Sequence, residues 1–323
     1  MMLWAWFVIV MVLSGCGRIP VATDPDAEVP GGRIAFIGGG DELNFQLYVM
    51  WSDGTGLKTV LPDVDPRSDF SGQSWSPDGR QLVFASNLGG NANFDIYTMD
   101  LDGGQLTRIV GDSGGDFAPS WSPTGQRVAF QAKRSVATGW DIYVVNVDGT
   151  NEKNITQSAE DEEVVSWSPD GTQLVCQVRE VGGTSIYVMD DDGQNRSLLV
   201  AGGGRVAHET PVWSPDGRRI AFASNLHQAP LGVNEIAAAE FEIYTVAANG
   251  SDLRRITYLS DSLHAARWPT WDPTGKTLAF ELSEVSPITV QTYWYIATVN
   301  HDGSNFKKVS MPRQGRVPRW APQ

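Results

Sequence analysis

Three groups of side chains in this 323-residue chain have the types and spacing to do chemistry. The first is Gly111-Asp112-Ser113-Gly114-Gly115, which satisfies G-x-S-x-G. That spacing exposes a nucleophilic serine when it turns a strand sharply into a helix. The second is a set of ionisable residues a few positions ahead of successive tryptophans: Asp69, Asp116, Glu162 with Glu163, His208 with Glu209, Arg267, and Arg316 with Arg319. Paired carboxylates can divide acid and base roles, and opposed charges can hold a charged ligand. The third is the histidines, His208, His227, His264 and His301, as proton carriers or metal ligands. No two of them have an H-x₃-H spacing, so no metal site is expected from them.

The elements around these residues decide among the options. Trp75, Trp121, Trp167 and Trp213 recur 46 residues apart, and Trp271 and Trp320 extend the series. Each of the first five opens a turn: WSPDG at 75–79, WSPTG at 121–125, WSPDG at 167–171 and 213–217, and WDPTG at 271–275. Proline presets the first corner and glycine accepts positive φ before the next strand. A strand follows in every unit, as in RQLVFAS (80–86) and RRIAFAS (218–224). A second strand comes next, as in DIYTMD (95–100) and EIYTVA (242–247), then a tight turn such as Asp102-Gly103, then a short outer strand.

Four short strands per repeat, with 34 glycines and 18 prolines over the chain, describe a propeller blade. Phe84, Phe130, Phe222 and Phe280, with the tryptophans, read as filler between blades. Cys176 stands where its repeat would have that phenylalanine, so it reads as a buried apolar thiol. Residues 33–60 supply three strands without a first, and RVPRW (316–320) supplies a first strand without the other three. The expected architecture is therefore an all-β, six-bladed propeller over 32–323. Its blades are four-stranded and antiparallel, and the C-terminal strand closes the ring as a 3+1 clasp, which removes exposed strand edges that would invite aggregation. In this frame Ser113 falls in a link between blades with no helix after it, so nucleophilic catalysis there is not expected.

The repeats W-S-P-D-G, A-F, I-Y-x-x-D and D-G resemble the PD40 (WD40-like) repeats of TolB-type propellers, over about 290 residues. The resemblance implies fold far more than function. The type member carries an α/β domain ahead of its propeller, whereas here a tether is read before the first strand, so its partner interactions are not carried over. Similar repeats form the non-catalytic propellers of prolyl-oligopeptidase-like peptidases.

Residues 1–15, MMLWAWFVIVMVLSG, are apolar and too short for a comfortable membrane span. Leu13-Ser14-Gly15-Cys16 resembles a bacterial lipobox, which implies cleavage before Cys16 and acylation of its sulfur and amine. Two or more acyl chains give stable anchoring. Residues 16–31, with Pro20, Pro25 and Pro30, read as an extended tether. With Cys16 acylated, no disulfide is expected. The implied location is the cell envelope, lipid-anchored, at the outer membrane or periplasm if two membranes are present. Gly17 is not the aspartate that retains such proteins at an inner membrane.

A formal charge of −14 argues against nucleic acid and against direct adsorption to an anionic bilayer. The expected site is a polarised channel mouth formed by Asp69, Asp116, Glu162, Glu163, His208, Glu209, Arg267 and Arg316. It shares a face with the long loops Asn225–Glu240 and Ser283–Thr292. The expected function is a monomeric binding or scaffold module for a protein, peptide or envelope glycan, with no cofactor and no catalytic residues. The alternatives are a structural cation in the acidic arc, or an envelope hydrolase or lyase using channel carboxylates with His208 or His264.

Overall fold

The strands are launched by hydrogen-bonded turns. In the Trp75 repeat, Ser76 Oγ donates to Asp78 Oδ1 (2.6 Å) and accepts the N–H of Gln81 (2.9 Å). Asp78 Oδ1 also accepts the N–H of Arg80 (3.1 Å), and Gly79 takes a φ of 67°. Glycine enters that region without steric cost. The same net recurs at Ser168 with Asp170 and at Ser214 with Asp216. The hydroxyl of Ser76 holds the Asp78 carboxyl below its ordinary range, and Ser168 does the same for Asp170. The recurring turn residues are thus consumed by the turn itself.

This computed structural model describes residues 32–322, apart from 40–44, 66, 89–92, 103, 112–113, 135–138, 228–240, 260–263, 287–290 and 310–313. The expected signal, Cys16, the tether, Asp112 and Ser113, and most of the loop 225–240, lie outside the described residues. Among those described there are six four-stranded antiparallel sheets and no helix. The Trp75 blade runs Phe70–Trp75, Gln81–Ser86, Asp95–Asp100 and Leu106–Val110, innermost strand first. Four more blades repeat that order, with inner strands Asp116–Trp121, Asp161–Trp167, His208–Trp213 and His264–Trp271.

The remaining sheet is the expected clasp. Gln314–Trp320 pairs with Arg33–Gly39, setting Ile34 opposite Trp320, Ala35 opposite Arg319 and Ile37 opposite Arg316. The closing strand also bonds to both neighbouring blades. Trp75 Nε1 donates to the Arg319 carbonyl (3.0 Å) on one side, and the Val317 N–H donates to Glu281 Oε2 (3.2 Å) on the other.

Hydrophobic clusters lie between blades. One joins Ala35, Ile37, Leu47 and Val49 of the closing blade to Phe70, Trp75, Leu82 and Phe84 of the next. Phe84, Phe130, Phe222 and Phe280 are fully buried, as is Phe36 of the closing blade. Phe36, Phe84, Phe130 and Phe222 each stack on the tyrosine opposite, with centroids 5.5–6.0 Å apart. Such pairing adds to the area term that dominates core stability. Cys176 is buried and unbridged, and burial pushes its thiol up to about 12.

Candidate functional site

The inner strands line the channel, and each contains one residue with a left-handed backbone. These are Gly72, Ala118, Val164, Thr210, Trp268 and Val317, with φ between 48° and 63°. Each coincides with a register shift against its neighbouring strand. For a non-glycine residue this geometry costs on the order of 1–2 kcal/mol and persists only when its surroundings enforce it. For three of the five the preceding blade supplies the enforcement: the N–H of Val164 is held by Gln131 Oε1 (2.8 Å), that of Thr210 by Gln177 Oε1 (2.8 Å), and that of Val317 by Glu281.

The bulge changes the alternation of the strand. Counting back from each tryptophan, the fifth residue turns into the blade and the fourth faces the channel. Beyond the bulge, the residue directly before the tryptophan faces the channel again. The eight expected mouth residues therefore divide. Asp116, Glu162 and His208 are fifth-position residues and do not line the mouth as expected, because their side chains are buried within the blades. Asp116 pairs with Arg134 (2.5 Å), which also reaches Glu152 (2.9 Å). Glu162 accepts from Ser158 Oγ (2.6 Å) and pairs with Arg196 (2.8 Å). His208 meets Ser224 Oγ at 2.9 Å and the Ala201 carbonyl at 3.0 Å, with its ring edge-on to Phe222. Asp69 sits one residue earlier, exposed, with its carboxylate accepting the N–H of Phe70.

Asp116 gives a measurable consequence. Burial pushes its carboxyl up to about 7 against the pull of Arg134. Below about pH 4 both folded and unfolded chains hold this proton. Between about 4 and 7 the unfolded chain releases it and the folded chain does not, so folded stability falls as pH rises. Asp116→Asn lacks this proton. Its stability relative to wild type, measured by urea unfolding, is therefore expected to improve by on the order of 2–4 kcal/mol from pH 4 to pH 7.5. No change over that interval would mean that Asp116 ionises normally.

The channel-facing ring is Ser71, Phe117, Glu163, Glu209, Arg267 and Arg316. Glu163 is held by Arg179 (2.9 Å) and by Gln177 (3.0 Å). Glu209 lies 3.5 Å from Arg267, and burial raises its carboxyl against the pull of Arg267 and Arg179. Arg316 reaches the buried Glu281 (3.3 Å). Two acidic positions thus adjoin two basic ones on one rim.

A second feature of the mouth was not read from the sequence. The residue two places ahead of the Ile or Leu in each I-Y-type segment is aromatic in five blades: Phe45, Phe94, Trp140, Phe241 and Trp294, with Thr184 in the sixth. They pack against the rim: Arg267 lies 4.1 Å over Phe241 and Arg316 lies 5.0 Å over Trp294. Phe117 contacts both Phe94 (4.9 Å) and Trp140 (5.6 Å). The repeated aromatic ahead of Asp95, Asp141 and Glu242 was the available signal. Among the described residues, no three His, Cys, Asp or Glu side chains converge as a metal ion would require. His264 Nε2 lies 3.6 Å from Glu284.

A six-membered ring of four-stranded sheets around a charged, aromatic-rimmed channel defines a TolB-type β-propeller. The profile of the PD40 family, the TolB beta propeller domain, matches residues 68–230 and 164–323, and the chain belongs to that family. A Tol-Pal system protein TolB from Thioalkalivibrio sulfidiphilus is 36% identical over 81 residues, which is 24% of this chain and 18% of the relative. The chain thus spans under a fifth of that relative. TolB from Acinetobacter baumannii superposes with a TM-score of 0.71 at 22% identity, covering 90% of this chain and 67% of that one. A chain of Kuenenia stuttgartiensis hydrazine synthase superposes with a TM-score of 0.68 at 13% identity, covering 91% of this chain and 47% of that one. At these identities the two superpositions speak for the fold.

Proposed function

We propose that the chain is an envelope binding module, anchored through acylated Cys16, that holds a protein, peptide or glycan segment at the mouth defined by Glu163, Glu209, Arg267 and Arg316. The observation that carries this reading is the pairing of opposed charges with an aromatic collar on one rim. Charges give orientation, and flat aromatic faces give area at low entropic cost. A protein ligand is favoured because the family relative at 36% identity is named a Tol-Pal system protein. An envelope hydrolase or lyase would need a carboxylate free to give and take a proton at the mouth. Glu163 and Glu209 are each committed to an arginine.

The test has two arms. The full chain is used to capture envelope proteins and to probe a glycan array, and the identified ligand is then titrated against Glu163→Ala/Arg267→Ala and Trp140→Ala. A loss of tenfold or more in affinity, about 1.4 kcal/mol, is expected for each. Unchanged affinity in both variants would remove the mouth from consideration. For the anchor, Cys16→Ala is expected to move the protein from the detergent phase to the aqueous phase and to abolish labelling by radioactive palmitate. Retained labelling would rule out Cys16 as the acylated residue.

A further inference from the structure

The opposite end of the channel has a different chemistry. The residues directly before each tryptophan face the channel there: Ser74, Ser120, Ser166, Val212, Thr270 and Arg319. Five are small and one is a long cation. They line a cavity of about 420 Å³ whose walls are the tryptophans and prolines of the W-S-P turns. The Arg319 guanidinium donates to its neighbouring carbonyl, Pro318 O (2.9 Å), and lies 5.6 Å over Trp268. Among the described residues no carboxylate lies within ion-pair distance of it. The other channel arginines, Arg267 and Arg316, each have one. Part of Arg319 meets the open channel, yet its surroundings lower its pKa to about 10 by burial, which leaves it charged at neutral pH.

A cation held among indoles, prolines and hydroxyls without an anion is under-compensated. A carboxylate would offer paired hydrogen bonds to the guanidinium fork. Ser166 stands opposite Arg319 in the sixfold order, with Ser120 beside it. Neither hydroxyl has a side-chain hydrogen bond among the described residues, whereas Ser74 Oγ accepts from the Trp121 N–H (3.2 Å) and Thr270 Oγ1 from the Trp320 N–H (3.4 Å). The site thus offers one anchor for an anion and, across the channel, two hydroxyls for peptide carbonyls or N–H groups.

We infer that the W-S-P-D-G end of the channel is a second binding site, which takes the C-terminal carboxylate of an extended peptide on Arg319. It is independent of the mouth at the other end, because no residue is shared.

The test uses the full chain in mild detergent, with intrinsic tryptophan fluorescence as the readout. The probes are N-acetyl-Ala-Ala-Leu with a free carboxylate, the same peptide as its C-terminal amide, and sodium acetate. The acid is expected to bind at least tenfold more tightly than the amide. In Arg319→Gln that preference disappears, while Arg319→Lys keeps part of it. Glu163→Ala/Arg267→Ala is expected to leave the preference intact, which separates this site from the mouth. Binding of acetate with exclusion of both peptides would overturn the assignment of a peptide as the ligand. Equal binding of acid and amide, a preference that survives in Arg319→Gln, or no response to any probe at millimolar concentration would overturn the inference. Thermal melting of Arg319→Gln at or above the wild-type temperature is expected, and it guards against loss of binding through misfolding.

Discussion

Deleting residues 314–323 is expected to abolish cooperative folding. The excised strand is not a terminal ornament. It pairs along Arg33–Gly39, receives the indole of Trp75 and delivers the N–H of Val317 to Glu281. Its loss uncovers fully buried residues, Ile34, Ala35 and Phe36, and opens two blade-to-blade contacts at once. The stability of a domain is only about 5–15 kcal/mol, and losses of this kind are of the same order. The truncated chain should show no sigmoidal thermal transition by circular dichroism and rapid digestion by trypsin. A truncated chain that melts cooperatively within a few degrees of wild type would show that the ring does not depend on its clasp.

The second large effect centres on Glu281. Its side chain is buried and pushed upward in pKa by that burial, and it accepts from the left-handed Val317 and pairs with Arg316. Glu281→Ala leaves an N–H and a guanidinium without their acceptor, a change that costs about 3–5 kcal/mol. The comparison that makes this specific is Glu281→Gln. Gln131 and Gln177 occupy the same place in two other blades and hold Val164 and Thr210 in the same way. Glutamine should therefore retain the clamp, at a cost of about 1 kcal/mol for the lost charge assistance. Urea midpoints of the two variants measure the difference. Similar losses in both would mean that the ion pair with Arg316 matters more than the clamp.

The fold was legible because its signals are local and repeated. Trp, Pro and Gly at fixed offsets set the turns, and the missing strands at the two ends implied the clasp. The site was only half legible. Both residues of each pair, such as Asp116 with Phe117 or His208 with Glu209, were visible, but not which one faced the channel. Phase along a strand is usually read by alternation, and here a left-handed residue resets it. Ala118, Val164, Thr210, Trp268 and Val317 give no hint of that, because only Gly72 is of the type that favours such a backbone. The arginines that neutralise the buried acids, Arg134 and Arg196, come from distant positions and were equally invisible. The aromatic collar is present in the repeats, but Phe and Trp interchange there without the fixed Pro and Gly partners that mark the W-S-P turns.

In an unbroken strand, side chains three residues apart point to opposite sides. The kinked inner strands let Arg316 and Arg319, or Glu163 and Ser166, look into the same bore from its two ends. Sequence drift at one opening then need not disturb the other, since the kink separates them and, at Val164, Thr210 and Val317, the neighbouring blade fixes it. A single axle can in this way carry two openings that diverge on their own schedules.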